Sequence, residues 1–179
     1  MQRTVNRVTI EVIQDDIASQ EDMAAVVNAA NAQLQTGGGV AGALHRAAGP
    51  GLAEECRPFA PIEPGEAVIT GGHGLPNEYV IHTLGPVYGS DHPEEELLAA
   101  CYRNSLALAD EKGLDSIAFP AISTGTFGYP LDEATDIALR TVVEMTETLE
   151  NVRTIRFVLF GDWVREAHED RLSSLTGNE

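Results

Sequence analysis

The residues of this chain whose types and spacing could do chemistry cluster first in Asn28 to Gly42, NAANAQLQTGGGVAG. Within it, GGGVAG satisfies the G-x-G-x-x-G pattern, which cradles a dinucleotide when it joins a strand directly to a helix. Here the apolar run before it ends at Asn28, and eight residues, Ala29 to Thr36, intervene before Gly37. The nearest acid about 20 residues on, Glu63, lies in a proline-rich stretch rather than at a strand end. A dinucleotide dehydrogenase is disfavoured on both counts. The underlying physics survives: consecutive glycines before a helix let backbone N–H groups approach an anion, and the helix N-terminus adds partial positive charge. The loop is therefore expected to take a phosphate group.

Other reactive side chains form no comparable set. The five histidines include no HExxH pair, and His73 in GGHG has no partner at zinc-like spacing, so neither a metal nor a cofactor is expected. His45, on the expected first helix, and His82, within an apolar strand, read as satisfied structural histidines. Cys56 and Cys101 are far apart and read as buried thiols.

The elements that must position these residues alternate along the chain. Thr4 to Ile13 reads as one strand with Val8, Ile10 and Val12 on a buried face, and MAAVVNAA, Met23 to Ala30, as a second. A helix is expected over Gly38 to Ala48 and a short one in GLAEEC after Gly49-Pro50. RPFAPIEPG reads as a loop, EAVITGG and EYVIHTLG as two strands joined by GHGLPN, and Pro93 as the start of a helix running to Gly113. Leu97, Cys101, Asn104, Ser105 and Leu108 would form its inner face. The strand SIAFPAI leads into a second glycine-bearing loop, STGTFGYP, and the clearest helix follows, Ala134 to Leu149. TIRFVLF reads as the last strand, and Trp163 to Leu172 as a closing helix that Trp163 anchors. This alternation predicts a layered α/β domain with the sheet covered on both faces.

Charge narrows the partners. Among the 179 residues, 28 acids face 11 bases, of which only Lys112 is a lysine, leaving a net charge of −17. A field of that sign repels phosphate backbones and anionic membranes, so no nucleic-acid or membrane partner is expected. The acids are spread along the chain, which predicts an acidic surface of the kind suited to high salt. No apolar run approaches the roughly 18 residues of a membrane span, and the N-terminus lacks a signal-type segment. A single domain over residues 1–179, monomeric and cytoplasmic, is the expectation.

Taken together, VVNAAN, GGGVAGALHRAAG, GEAVITGG, VIHTLGP and FPAISTGTFGYP, in that order between about Asp15 and Phe160, resemble a macrodomain of the MacroD-type branch. The resemblance implies a three-layer α/β/α sandwich with a mixed central sheet and a cleft at the strand ends that holds ADP-ribose. It further implies hydrolysis of mono-ADP-ribosyl adducts, on proteins or as O-acetyl-ADP-ribose. By the same resemblance Asp16 would accept from the adenine amine beside the Ile17 N–H. Asn31 would orient the distal ribose and a water, and Asn28, the first Asn of the motif, would brace the loop. Gly37, Gly38, Gly39 and Val40 match one phosphate-binding loop, and Ser123, Thr124, Gly125, Thr126 and Phe127 match the other. Phe127 would pack on the distal ribose and Phe160 would flank the adenine.

One position departs from the pattern. In that branch the glycine loop continues with Asp, GGGVDG, to which activation or positioning of the attacking water is assigned; here the residue is Ala41. A methyl group takes no proton, so that general base is excluded. Two classes stay open: a hydrolase that relies on Asn31, the loop N–H groups and the substrate's own diphosphate, or a reader that binds ADP-ribose without turnover. A phosphatase acting on phosphorylated ADP-ribose is a lesser third.

Overall fold

The computed structural model describes residues 1–177 and contains a mixed seven-stranded sheet in the order β1-β2-β7-β6-β3-β5-β4. The strands are β1 (Gln2–Val5), β2 (Val8–Gln14), β3 (Ala25–Ala29), β4 (Ala67–Gly71), β5 (Tyr79–Thr83), β6 (Ser116–Phe119) and β7 (Thr154–Leu159). The five central strands are parallel, and the edge strands β1 and β4 run antiparallel to β2 and β5. The single strand expected over Thr4 to Ile13 is instead a hairpin. Asn6 and Arg7 both take positive φ, 48° and 70°, and Val5 pairs with Val8. Two consecutive left-handed residues are what a two-residue hairpin turn needs, and Asn tolerates that region best after Gly.

Period-2 alternation divides each central strand between two cores. Ala25 and Val27, Ile81, Ile117 and Phe119, and Ile155 and Phe157 face α3 (Glu94–Glu111), α4 (Leu131–Met145) and α5 (Asp162–Thr176). Val26, Val80, Ala118 and Val158 face the other way, onto α1 (Gly39–Ala48) and α2 (Pro50–Cys56). The three-layer sandwich follows from that division. Phe119, Phe157 and Tyr102 form the aromatic centre of the larger core, with Phe119 and Phe157 stacked 5.9 Å apart. Both cysteines are free and buried, and burial pushes each thiol up to about 11, which keeps them inert.

Two buried histidines tie stability to pH. His82 on β5 accepts from Asn28 Nδ2 at Nδ1 (3.0 Å) and contacts Thr70 Oγ1 through Nε2 (2.9 Å). His168 on α5 donates from Nδ1 to the Val164 carbonyl (2.8 Å), 5.3 Å from the Phe157 ring. Burial lowers the first to about 3, helped by the proximity of His45, and the second to about 4. In the unfolded chain both titrate near 6.5, so between pH 6.5 and 4 the unfolded state binds more protons and stability falls with pH. Each is expected to withdraw about 2 kcal/mol by pH 5. Chemical denaturation at pH 7 and pH 5 should show that loss, and His168→Gln should reduce it. Equal pH slopes in wild type and variant would refute the assignment.

Candidate functional site

The carboxyl ends of the parallel strands lie along one edge of the sheet, and both glycine-bearing loops singled out in the sequence leave from that edge. Open α/β sheets take ligands there, outside the strand ends where the strand order reverses. From β2 come Asp15 and Asp16, from β7 Phe160, from β6 the Ser123–Phe127 loop, and from β3 the Asn31–Val40 loop. Ile17, Val40 and Phe127 pack on one hydrophobic cluster, which places the walls contributed by three of these loops against a shared base.

The first loop is held from within. Asn31 Nδ2 donates to the Gln35 carbonyl (2.9 Å), and Asn31 Oδ1 accepts from the Gln35 N–H (3.1 Å). Leu34, at φ 55°, turns the chain back toward Asn31, whose carbonyl accepts the Leu34 N–H (3.1 Å). A Cβ on Gly37 would stand 3.4 Å from Asn31 Nδ2, so Asn31 lies directly against the first glycine. One side-chain N–H of Asn31 is left over, because an amide carries two. Helix α1 then begins at Gly39 with Gly38 as a cap that has no side chain, and its first turn contains no acid. The longer helices α3, α4 and α5 all carry acids in the first turn. In a chain of net charge −17, a helix start that is uncapped and free of carboxylates keeps its N–H groups and positive dipole end available to an anion.

The second loop is tied down by its carbonyls and hydroxyls rather than its N–H groups. Ser123, at φ 68°, donates from Oγ to the Pro86 carbonyl (2.9 Å), and Thr124 Oγ1 donates to the Ala121 carbonyl (3.0 Å). The Ser123, Gly125 and Phe127 carbonyls accept from the N–H groups of Tyr129, Gly128 and Tyr88. Among the described residues no acceptor takes the N–H groups of residues 123–127. That is the donor-outward arrangement of an anion nest. Gly85 supports it from beneath, since a Cβ there would fall 2.1 Å from Ser123 Oγ.

At the far end, Asp16 caps the 3-10 turn Ile17–Ser19, accepting from the Ala18 N–H at Oδ1 (2.9 Å). Its carboxylate is exposed, and one oxygen remains outside the cap. The segment is pinned by Arg156, which bonds Glu11, Gln20 and Asp22 at 2.6 to 3.0 Å, while Gln20 Nε2 donates to the Asp16 carbonyl (2.8 Å). Those partners hold Asp22 below the usual carboxylate range and raise Arg156 further. Sequence reasoning missed this clamp: Arg156 is a lone arginine in the apolar strand TIRFVLF, and only the pairing of β7 with β2 sets it beside Glu11.

Four side chains stand differently from the expectation. Asn28 is wholly buried on β3 with its amide on His82, so it braces the sheet and neither the loop nor a ligand. The strand period turns it into the protein, whereas Asn31, beyond the strand end, escapes that period. His45 is buried under α1, yet its Nε2 has no partner among the described residues; burial lowers its pKa and keeps it neutral. Asn104 is exposed on α3 and donates to the Gly65 carbonyl (2.8 Å) instead of facing the core. Trp163 is 77% exposed and anchors nothing. Phe127 is half-buried, and Phe160 is 94% exposed beside Asp16, which leaves its ring free of any core role. Ala41 is buried, at the third position of α1. Among the described residues there is no group of three or more His, Cys, Asp or Glu able to hold a metal, and no helix is long and apolar enough to cross a membrane.

Comparison with known proteins agrees with this fold. A family model described as Macro domain matches residues 27–138. A macro domain-containing protein of Chlorobaculum tepidum is 48% identical over 170 residues, covering 94% of this chain and 98% of that protein. Among solved structures, the Oceanobacillus iheyensis macrodomain with ADP superimposes with a TM-score of 0.93 at 40% identity, covering 98% of this chain and 95% of that one. The Trypanosoma brucei macrodomain in complex with ADP-ribose does so with a TM-score of 0.82 at 38% identity, covering 92% of this chain and 68% of that one.

Proposed function

The chain belongs to the macrodomain family, and from that premise we propose that it binds ADP-ribose and hydrolyses mono-ADP-ribosyl adducts, on proteins or as O-acetyl-ADP-ribose. The observation that carries the binding reading is the acid-free, uncapped start of α1 on the same sheet edge as the outward N–H groups of the Ser123–Phe127 loop. Two such nests suit the two phosphates of a diphosphate, and they do so in a protein whose overall charge repels phosphate. The base would lie toward Asp16 and Phe160, and the distal ribose toward Asn31 and Phe127. Similarity to macrodomain structures with ADP and in complex with ADP-ribose supports ADP-ribose as the ligand.

For hydrolysis the chain supplies position rather than a base. The free Asn31 N–H would hold a ribose hydroxyl or a water close to the diphosphate, whose oxygen polarises the water, while the loop N–H groups fix the phosphates. A well-oriented water adding to the acyl carbon forms the new C–O bond and breaks the one to the distal ribose; no protein carboxylate is needed if the substrate's diphosphate takes the water's proton and returns it to the departing ribose oxygen. The methyl of Ala41 favours the second reading, an ADP-ribose reader without turnover. Incubation with a mono-ADP-ribosylated protein, following released ADP-ribose, separates the two when run beside calorimetry with free ADP-ribose. Binding with no release selects the reader.

Restoring the acid provides a further test. Ala41→Asp is expected to raise the hydrolytic rate, because a carboxylate returns to the first turn of α1, where the helix dipole favours its charged form. Affinity for ADP-ribose should fall somewhat, since a second anion then faces the diphosphate. A variant that binds well and turns over no faster would mean that the water does not sit near this turn.

A further inference from the structure

Phe160 and Trp163 are 94% and 77% exposed, the two most exposed large apolar side chains among the described residues. A hydrophobic residue just before a helix cap ordinarily packs on the fourth residue of the helix. With Gly161 as the cap of α5, that fourth residue is Arg165, and its guanidinium is turned toward Asp162, Glu166 and Glu169. Phe160 therefore has no staple partner within its own helix. Trp163, in the first turn, stands three residues on. Both residues follow the carboxyl end of β7, the strand end nearest Asp15, where the Asp15 N–H donates to the Leu159 carbonyl (3.1 Å) and Gln14 Nε2 to the Phe160 carbonyl (3.5 Å). Asp15, Asp16 and Asp162 are exposed around them. Carboxylates at this end repel phosphate, while an uncharged base with an exocyclic amine suits them, and a π face suits the rings.

We propose that Trp163 is a specificity-determining residue of the ADP-ribose site, its indole and the Phe160 ring bracketing the adenine. This rests on the ADP-ribose reading above and adds a second aromatic wall to it. Stacking on the indole gives affinity that does not depend on charge, which a strongly acidic protein needs when its ligand is an anion. It also favours a purine over a smaller base, because the larger ring system covers more of both walls.

Trp163 is the sole tryptophan, so its emission reports on this contact directly. The full chain is titrated with ADP-ribose and with ribose 5-phosphate, which lacks the base, following fluorescence and heat together. ADP-ribose is expected to change the emission saturably, at the midpoint found by calorimetry, and ribose 5-phosphate to leave it unchanged. Trp163→Ala should weaken ADP-ribose binding about tenfold, in line with one lost base stack, and Trp163→Phe should recover most of it. The melting temperature should hold in both, because the side chain supports no core. If ADP-ribose binds calorimetrically while the emission and the Trp163→Ala affinity stay the same, the clamp is overturned and the ADP-ribose reading stands. If ADP-ribose does not bind the wild-type chain at all, both fall.

Discussion

Asn31→Ala is expected to slow release of ADP-ribose from a mono-ADP-ribosylated substrate by at least about tenfold, while weakening ADP-ribose binding less. The asymmetry follows from how the amide is used. Its two bonds to the Gln35 backbone, at 2.9 and 3.1 Å, hold the loop in the resting protein, and the remaining N–H is free for the ligand. Alanine loses both. Loosening the loop costs some affinity, since the glycine N–H groups then have to be ordered on binding. Losing the oriented donor costs the reaction more, because a water held without direction spends its time in unreactive poses. Single-turnover rates and calorimetry on the same variant separate the two contributions. Equal losses in rate and affinity would make Asn31 a loop brace alone, and an unchanged rate would remove it from the mechanism.

The loop brace itself was not legible in the sequence, and the reason is general. Hydrophobic alternation reports which strand residues are buried, so β3, β5, β6 and β7 and the two glycine loops could be read from apolar runs and the breaks between them, whereas the cleft at the strand ends came from the family resemblance alone. What an exposed or polar side chain bonds to is decided by tertiary neighbours. Asn28 and Asn31 are the same residue type three positions apart, yet one lies in the sheet against His82 and the other in the loop against Gln35. Only the place where the strand ends tells them apart. The hairpin at Asn6-Arg7 escaped for a related reason: without Gly or Pro, its two left-handed residues look like ordinary strand. The Arg156 clamp joins residues more than a hundred positions apart, so no local pattern encodes it. Trp163 misled through its size, since a large aromatic on a terminal helix usually finds a core, and this one faces solvent.

Gly42→Ala should impair function strongly while sparing the fold, with turnover falling about a hundredfold for a displacement near 1 Å and ADP-ribose affinity at least about tenfold. Gly42 lies on the buried side of α1, where the loop passes directly over it. A Cβ there would meet the Gly37 carbonyl oxygen at 2.3 Å and the Gly37 carbonyl carbon at 3.4 Å. The Arg46 Nη1 contact, at 3.0 Å, can swing away, but a backbone carbonyl cannot. Either the glycine loop lifts off the helix or the helix shifts in the core, and the loop is the cheaper to move. Its exposed residues make few apolar contacts, whereas Leu44, Ala48 and Leu52 are packed into the second cluster. The lifted loop carries Gly37 away from Asn31 and misaligns the N–H groups at the start of α1 with those of the Ser123–Phe127 loop. Alanine in the helix interior offsets part of the strain, by up to about 1 kcal/mol relative to glycine, so the melting temperature should change little. Calorimetry with ADP-ribose and thermal melting of the same sample check both halves. Full affinity in a normally folded Gly42→Ala protein would show that the diphosphate does not depend on this loop being held against α1.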